Sequence, residues 1–263
     1  LKGFPDNQRD SGKEGKASPT YMSCYKLDGT QLWKGFINFG HNIRSGNHTM
    51  QFLVYDFDGD GKAEIICRTA AGTTDATGKF VSRASTDATI LATDDSKTYQ
   101  NSKGYITGGE EFLTVFKGET GEALQTVWYR PNRALTDIPT SAGALSSAWG
   151  DSYGGRAERT NAAVAYLDGL DKLPSAIIQR GYYTQCYIWA VDWDGKELNT
   201  RWLHRGTSRT AWSVITDIGG KLAEGTGTSS YGQGVHGISV GDVDGDGSDE
   251  IVIGSATIDH DGR

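Results

Sequence analysis

The chain has 263 residues and a formal charge of −7, with 36 glycines, 5 prolines, 7 tryptophans and 12 tyrosines. That acidity argues against nucleic acid as a partner, no stretch approaches the roughly 18 apolar residues of a membrane span, and Cys24, Cys67 and Cys186 form no regular disulfide pattern. Many glycines and aromatics with few prolines suit short strands and tight turns, which predicts an all-β chain of one large domain or two small ones.

In chain order, the first strong signal is Tyr25-Lys-Leu-Asp-Gly-Thr-Gln-Leu-Trp33, an Asp-Gly turn between apolar runs and hence a hairpin. Next, the short β-branched run Gln51-Phe-Leu-Val-Tyr55 leads into Asp56-Phe-Asp-Gly-Asp-Gly-Lys-Ala-Glu64, and Ile65-Ile-Cys67 leads out. Carboxylates so closely spaced repel one another unless a hard cation lies between them. Asp56, Asp58, Asp60 and Glu64, with a backbone carbonyl at Lys62, make an oxygen set that suits calcium better than magnesium. An EF-hand would need flanking helices and a glutamate at position 12 of its loop. This unit is instead a β-hairpin whose turn is a calcium loop.

A plain hairpin follows at Val115–Leu124, then a degenerate acidic copy over Ala162–Arg180. Its Asp168-Gly survives, but Tyr166 and Leu170 stand at ligand positions, so the metal is expected to be lost. Another plain hairpin occupies Val191–Leu198. The last signal is a full acidic copy, Asp242-Val-Asp-Gly-Asp-Gly-Ser-Asp-Glu250, entered by Gly237–Gly241 and left by Ile251–Ile253. Its expected ligands are Asp242, Asp244, Asp246, the Ser248 carbonyl and Glu250.

Two hairpins in series make a four-stranded antiparallel blade. The alternation therefore predicts part of a β-propeller: a half-blade at 21–34, blades at 52–129 and 162–203, and a half-blade at 237–255. That is about three blades' worth of strands, whereas propellers close with ~4–8. The remaining blades are expected from missing sequence or another chain. Residue 1 is leucine, which fits a mature, trimmed or partial chain. A two-sheet sandwich is the alternative architecture. Long polar insertions at 70–109, 130–159 and 205–235 are the places to look for a site.

The strings Asn42-Ile-Arg44, Gln51–Glu64, Arg68-Thr-Ala70, Gly109–Phe116, Trp149-Gly-Asp-Ser-Tyr-Gly154, Arg180-Gly-Tyr-Tyr-Thr184 and Asp242–Gly247 occur in the order found in one family. The chain resembles the rhamnogalacturonan lyases that build an eight-bladed, calcium-rich propeller. The resemblance implies a secreted enzyme, extracellular or periplasmic, binding several calcium ions and acting on an acidic pectic polysaccharide. It implies β-elimination at the rhamnose–galacturonate bond: a base takes the C5 proton and the C4–O4 bond breaks. It also implies that His236 is a calcium ligand. Two departures stand out: Val235 precedes His236 where the family favours asparagine, and no Asn-Gly-Thr-Lys segment carrying the family's catalytic lysine is present.

Elimination beside a carboxylate needs positive charge to hold the developing enediolate. Arginines in loops or at strand ends include Arg44, Arg68, Arg133, Arg156, Arg159 and Arg180. Arg68 and Arg180 hold equivalent places after acidic-type hairpins, so they, with Asn42 and Arg44, are the expected substrate contacts. Structural pairing with Asp or Glu is the other reading of each arginine. Trp149, Tyr182 and Tyr183 are candidates to stack on sugar, or to pack between blades. No catalytic base is identifiable. Gly232-Gln-Gly-Val-His-Gly237 matches a dinucleotide fingerprint only in its glycines, since a strand follows it and no helix. Glu110-Glu111 and Asp94-Asp95 are read as solvated charges, and His260 as one of several scattered histidines. A calcium-stabilised propeller that binds polysaccharide or mediates adhesion without catalysis would share every hairpin, and is the alternative function.

Overall fold

The computed structural model describes residues 2–3, 19–44, 50–102, 106, 108–133, 149–151, 155–216, 220–234 and 236–263. Ser152, Tyr153 and Gly154 of the tryptophan-containing string, Val235 and His48 lie outside them. The chain divides into two units. One holds residues 1–56, 61–146 and 153–155, and the other holds 57–60, 147–152 and 156–263.

In the first unit β1 (Lys2–Gly3), β2 (Tyr21–Met22) and β3 (Ile37–Asn38) form a small antiparallel sheet. A four-stranded antiparallel sheet follows in simple meander order: β4 (Phe52–Tyr55), β5 (Glu64–Ala70), β6 (Glu111–Lys117) and β7 (Ala123–Trp128). Every residue of β5 is buried. Its run of isoleucines, cysteine and alanine lacks the polar–apolar alternation of a half-exposed strand because both of its faces are covered. Phe39, Met50, Ile65, Cys67, Phe112 and Phe116 pack in one core with Val81 and Ile90. Those last two come from the 70–109 insertion. There Asp87 caps the short helix α1 (Ala88–Leu91) by accepting the Thr89 amide, and also accepts the Trp128 indole N–H.

The expected hairpin at 25–33 is short: an antiparallel bridge joins Tyr25 to Gln31, flanked by hydrogen bonds from the Lys26 amide to the Thr30 carbonyl and from the Leu32 amide to the Cys24 carbonyl. Its Asp28-Gly29 turn and Leu27 lie in solvent, while Trp33 at its end is buried in the core.

The second unit takes in a single helical turn, α2 (Gly155–Glu158), from Arg156 onward. A six-stranded antiparallel sheet follows: β8 (Thr160–Ala165), β9 (Ser175–Arg180), β10 (Cys186–Trp193), β11 (Leu198–Ser208), β12 (Ala211–Ile215) and β13 (Lys221–Thr226). Four strands were expected there. The two additional ones come from the 205–235 insertion, where glycines and charges hide the strand pattern. The outermost, β13, carries Lys221 and Glu224 on a largely exposed strand, as edge strands commonly do. A last sheet contains β14 (Ser239–Gly241), β15 (Glu250–Ile253) and β16 (Ala256–Ile258). It shares a core with the six-stranded sheet through Ile251, Ile253, Ile258, Ile177, Ile188 and Trp202. The described chain is thus all-β, in several antiparallel sheets. All three cysteines are free, and burial pushes the Cys186 thiol up to about 12.

Candidate functional site

Each acidic segment joins two antiparallel strands, so the hydrogen-bonded pairs at the strand ends fix where its carboxylates start. In the first loop Tyr55 pairs with Glu64. Between them the Asp56 carboxylate accepts the Gly61 amide at 2.9 Å and Asp58 accepts the Asp60 amide at 3.2 Å. Gly61 adopts φ +85, a left-handed conformation that side chains disfavour. Folded this way, Asp56, Asp58 and Glu64 each bring an oxygen within 4.8 Å of the others. Asp60 is not in that triad. The Lys62 ammonium turns to Glu119 at 3.0 Å.

In the second loop Asp242 accepts the amides of Gly245, Asp246 and Gly247, and Asp246 accepts that of Ser248. Two triads result. Asp242, Asp244 and Asp246 form one, and Asp246, Glu250 and His260 the other. Glu250 is only 3 % exposed. Its Oε2 accepts the Val243 amide at 2.7 Å, while its buried Oε1 has no hydrogen-bond partner. A buried carboxylate oxygen without a donor is costly. A cation among these oxygens would satisfy it, so the donor set fits a hard dication. His260 was not legible as part of this loop, because it is ten residues beyond Glu250 and reaches it through the β15–β16 turn.

The degenerate copy supplies the complementary observation. Asp168 is held by both terminal nitrogens of Arg201, at 2.8 and 2.7 Å, and the Arg201 Nε reaches Asp192 at 3.2 Å. The Arg201 hydrogen bonds hold the Asp168 carboxyl below its usual range. At this copy, where Tyr166 and Leu170 replace acidic residues, a guanidinium supplies the positive charge. The neighbouring turns are also tied together, since the Tyr166 amide donates to Asp249 at 2.7 Å and the Asp249 amide returns to the Tyr166 carbonyl.

The expected substrate contacts occupy closed positions. Asn42, 2 % exposed, donates to the carbonyls of Ala71 and Lys97 and accepts the Tyr99 amide, so its side-chain amide is committed to three backbone groups. Arg44 is buried. Arg68, 3 % exposed, lies 3.1 Å from Glu111, which also receives Arg133 at 3.2 Å and the Arg133 amide at 2.8 Å. Arg180, 1 % exposed, donates to the Ala157 carbonyl, faces Glu158 and lies over the Trp149 ring. Two carboxylates read as solvated are therefore internal. Glu111 is buried between two arginines, and Asp95 accepts Ser82 and the Gly72 amide.

The open cations lie one step away, around the turn between β9 and β10. Arg159 lies 4.6 Å from the Tyr182 ring centre and Arg156 lies 5.6 Å from that of Tyr183. The two tyrosine rings are 3.9 Å apart. Tyr182 Oη is 3.2 Å from Nε2 of His236, which is exposed. Burial raises the Tyr182 phenol above its usual value, so it is a hydrogen-bonding group and a poor base at neutral pH.

The chain matches the family described as "Rhamnogalacturonan lyase family 11, C-terminal domain" over residues 1–263. It is 43 % identical over 263 residues to the rhamnogalacturonan exolyase YesX of Bacillus subtilis (strain 168), and 41 % identical over 263 residues to the rhamnogalacturonan endolyase YesW of the same organism. Each match covers 100 % of this chain and 36 % of the relative. The crystal structure of the exotype lyase YesX aligns with a TM-score of 0.80 at 43 % identity, covering 100 % of this chain and 37 % of that one. Bacillus licheniformis rhamnogalacturonan lyase PL11 aligns with a TM-score of 0.80 at 42 % identity, covering 100 % of this chain and 38 % of that one. The chain therefore spans little more than a third of the length of the relatives it matches. With a family match along all its residues and these identities, the chain belongs to rhamnogalacturonan lyase family 11.

Proposed function

We propose that the protein containing this chain is a rhamnogalacturonan lyase that cleaves the rhamnose–galacturonate bond of the pectin backbone by β-elimination. The identity of 43 % and 41 %, over all 263 residues, to an exolyase and an endolyase carries this reading. In the proposed reaction a base removes the galacturonate C5 proton. The electron pair moves through the enediolate and breaks the galacturonate C4–O4 bond. The departing oxygen stays on the rhamnose anomeric carbon and takes up a proton, leaving a 4,5-unsaturated uronate and a new hydroxyl.

We read the sheets as blades of a calcium-binding β-propeller whose other blades come from the rest of the protein. Asp56, Asp58 and Glu64 would hold one ion, and Asp242, Asp244, Asp246 and Glu250 another. Asp60, Lys62, Ser248 and His236 are retained from the sequence as further candidate ligands. A bound calcium would supply positive charge that neutralises the clustered carboxylates and fixes the turns, a scaffold role. Loops of this type fill at extracellular calcium concentrations, which supports a secreted protein. For substrate the open Arg156 and Arg159 are better placed than Asn42, Arg44, Arg68 and Arg180, whose buried surroundings favour structural work.

The test is the ultraviolet absorbance of the conjugated unsaturated uronate, followed as the full-length protein acts on rhamnogalacturonan with and without chelator. New absorbance that grows with time is the expected result. Binding without any absorbance would overturn the lyase reading in favour of a non-catalytic polysaccharide binder.

A further inference from the structure

Tyr183 is the one non-glycine residue with positive φ among the described residues, at +65. A tyrosine held left-handed costs free energy, and such strain gathers at functional sites. Glycine would relieve the strain at Tyr183, yet the position carries a large aromatic side chain, 48 % exposed.

The turn that holds it is built rigidly. A Cβ on Gly181 would fall 1.9 Å from the Gln185 carbonyl oxygen, and one on Gly234 would fall 1.9 Å from that of Gly181. Only glycines let these backbones approach. Thr184 donates to the Trp149 carbonyl at 3.0 Å and accepts the Gly232 amide at 2.6 Å. Trp149, buried, packs against Tyr187 beneath the turn. Tyr182, edge-on to His236, backs the Tyr183 ring.

The charges around this turn are unlike those elsewhere. Arg68, Arg133, Arg180 and Arg201 each face an Asp or Glu. Arg156 and Arg159 face aromatic rings, and among the described residues neither forms an ion pair with a carboxylate. Two half-buried guanidiniums beside a rigid, half-exposed aromatic face have the chemistry to receive an anionic sugar. The guanidiniums can grip a carboxylate, and the ring can cover the apolar face of the pyranose.

We propose that Arg156, Arg159, Tyr182 and Tyr183 form a uronate-binding subsite, with His236 positioning Tyr182 through its hydroxyl. This rests on the reading that the substrate carries galacturonate, and it assigns these residues to recognition of its carboxylate and ring, not to proton abstraction.

The probe is a galacturonosyl-rhamnose disaccharide, which lacks the scissile bond, titrated calorimetrically into the full-length protein. The same disaccharide with its carboxyl reduced to a hydroxymethyl group is the control. The wild type should prefer the acid. Arg156→Ala and Arg159→Ala should each weaken the acid about tenfold, as expected for loss of one charge-assisted contact, and leave the reduced sugar nearly unchanged. Tyr183→Gly relieves the strained backbone and so should fold; it should weaken both ligands. Arg159→Lys, which keeps the charge and loses the fork, should fall between wild type and alanine. An unchanged acid preference in the arginine variants, or wild-type affinity in Tyr183→Gly, overturns the subsite. A wild type that prefers the acid yet forms no unsaturated product from the polymer overturns the lyase reading alone.

Discussion

The strongest test of the second acidic loop is Glu250→Gln, which preserves shape and removes one charge. In the metal-free protein the buried Glu250 Oε1 has no partner, and leaving such an atom unsatisfied costs about 1–3 kcal/mol, more for a charged group. A neutral amide in the same place is cheaper to bury, so in chelator the variant should be more stable by about 1 kcal/mol. Calcium reverses the order. An ion at ten times its dissociation constant stabilises the folded state by about 1.4 kcal/mol, and at a hundred times by about 2.7 kcal/mol. The variant, short of one anionic ligand, should gain much less of this. Other acidic loops contribute equally to both proteins and cancel in the difference. Thermal or denaturant unfolding of the full-length protein, with calcium and with chelator, reads the crossover directly. A glutamine variant that is less stable by the same margin in both conditions would refute the reasoning. Glu250 would then be a structural acceptor for the Val243 amide and nothing more.

Glu111 and His204 carry the other two expectations. Glu111→Ala leaves Arg68 and Arg133 buried without the carboxylate between them, and removing one partner of a buried ion pair costs about 3–5 kcal/mol; a denaturant midpoint within error of wild type would show that the network contributes nothing. Burial holds the imidazole of His204 down to about 4 from its ordinary 6.5, with Nδ1 hydrogen-bonded to the Gly262 carbonyl and Nε2 to the Ser230 hydroxyl. The unfolded chain then binds the proton more tightly. Stability should be complete above pH 6.5 and fall as the pH drops from there toward 4, by about 3 kcal/mol in all. In His204→Gln that part of the slope should vanish, and an unaltered pH dependence would rule out this assignment.

The legibility of this chain follows the range of the interactions involved. Acidic loops and plain turns are local objects: a carboxylate spacing, a glycine at the left-handed position and β-branched flanks suffice to mark them, and the 52–67 and 237–253 segments do form strand–loop–strand units. Strand β13 was hidden because an exposed edge strand tolerates charge and glycine and so reads as a loop. The hairpin at 25–33 is present but short, its antiparallel pairing confined to the residues beside the Asp28-Gly29 turn.

By itself, the sequence determined the kind of parts: all-β segments, two retained acidic loops, one degenerate copy and the family likeness. The tertiary structure decided which charges are already spent. Arg68 and Arg180 looked available because strand position says nothing about a partner many residues away. Glu111 and Glu158 close them off, while Arg156 and Arg159 remain open beside Tyr182 and Tyr183. Only the folded chain brings Arg201 to Asp168, and only it buries Glu250 with one oxygen unmet. Local spacing sets which groups can bind a charge, whereas burial and long-range pairing decide which of them still need one.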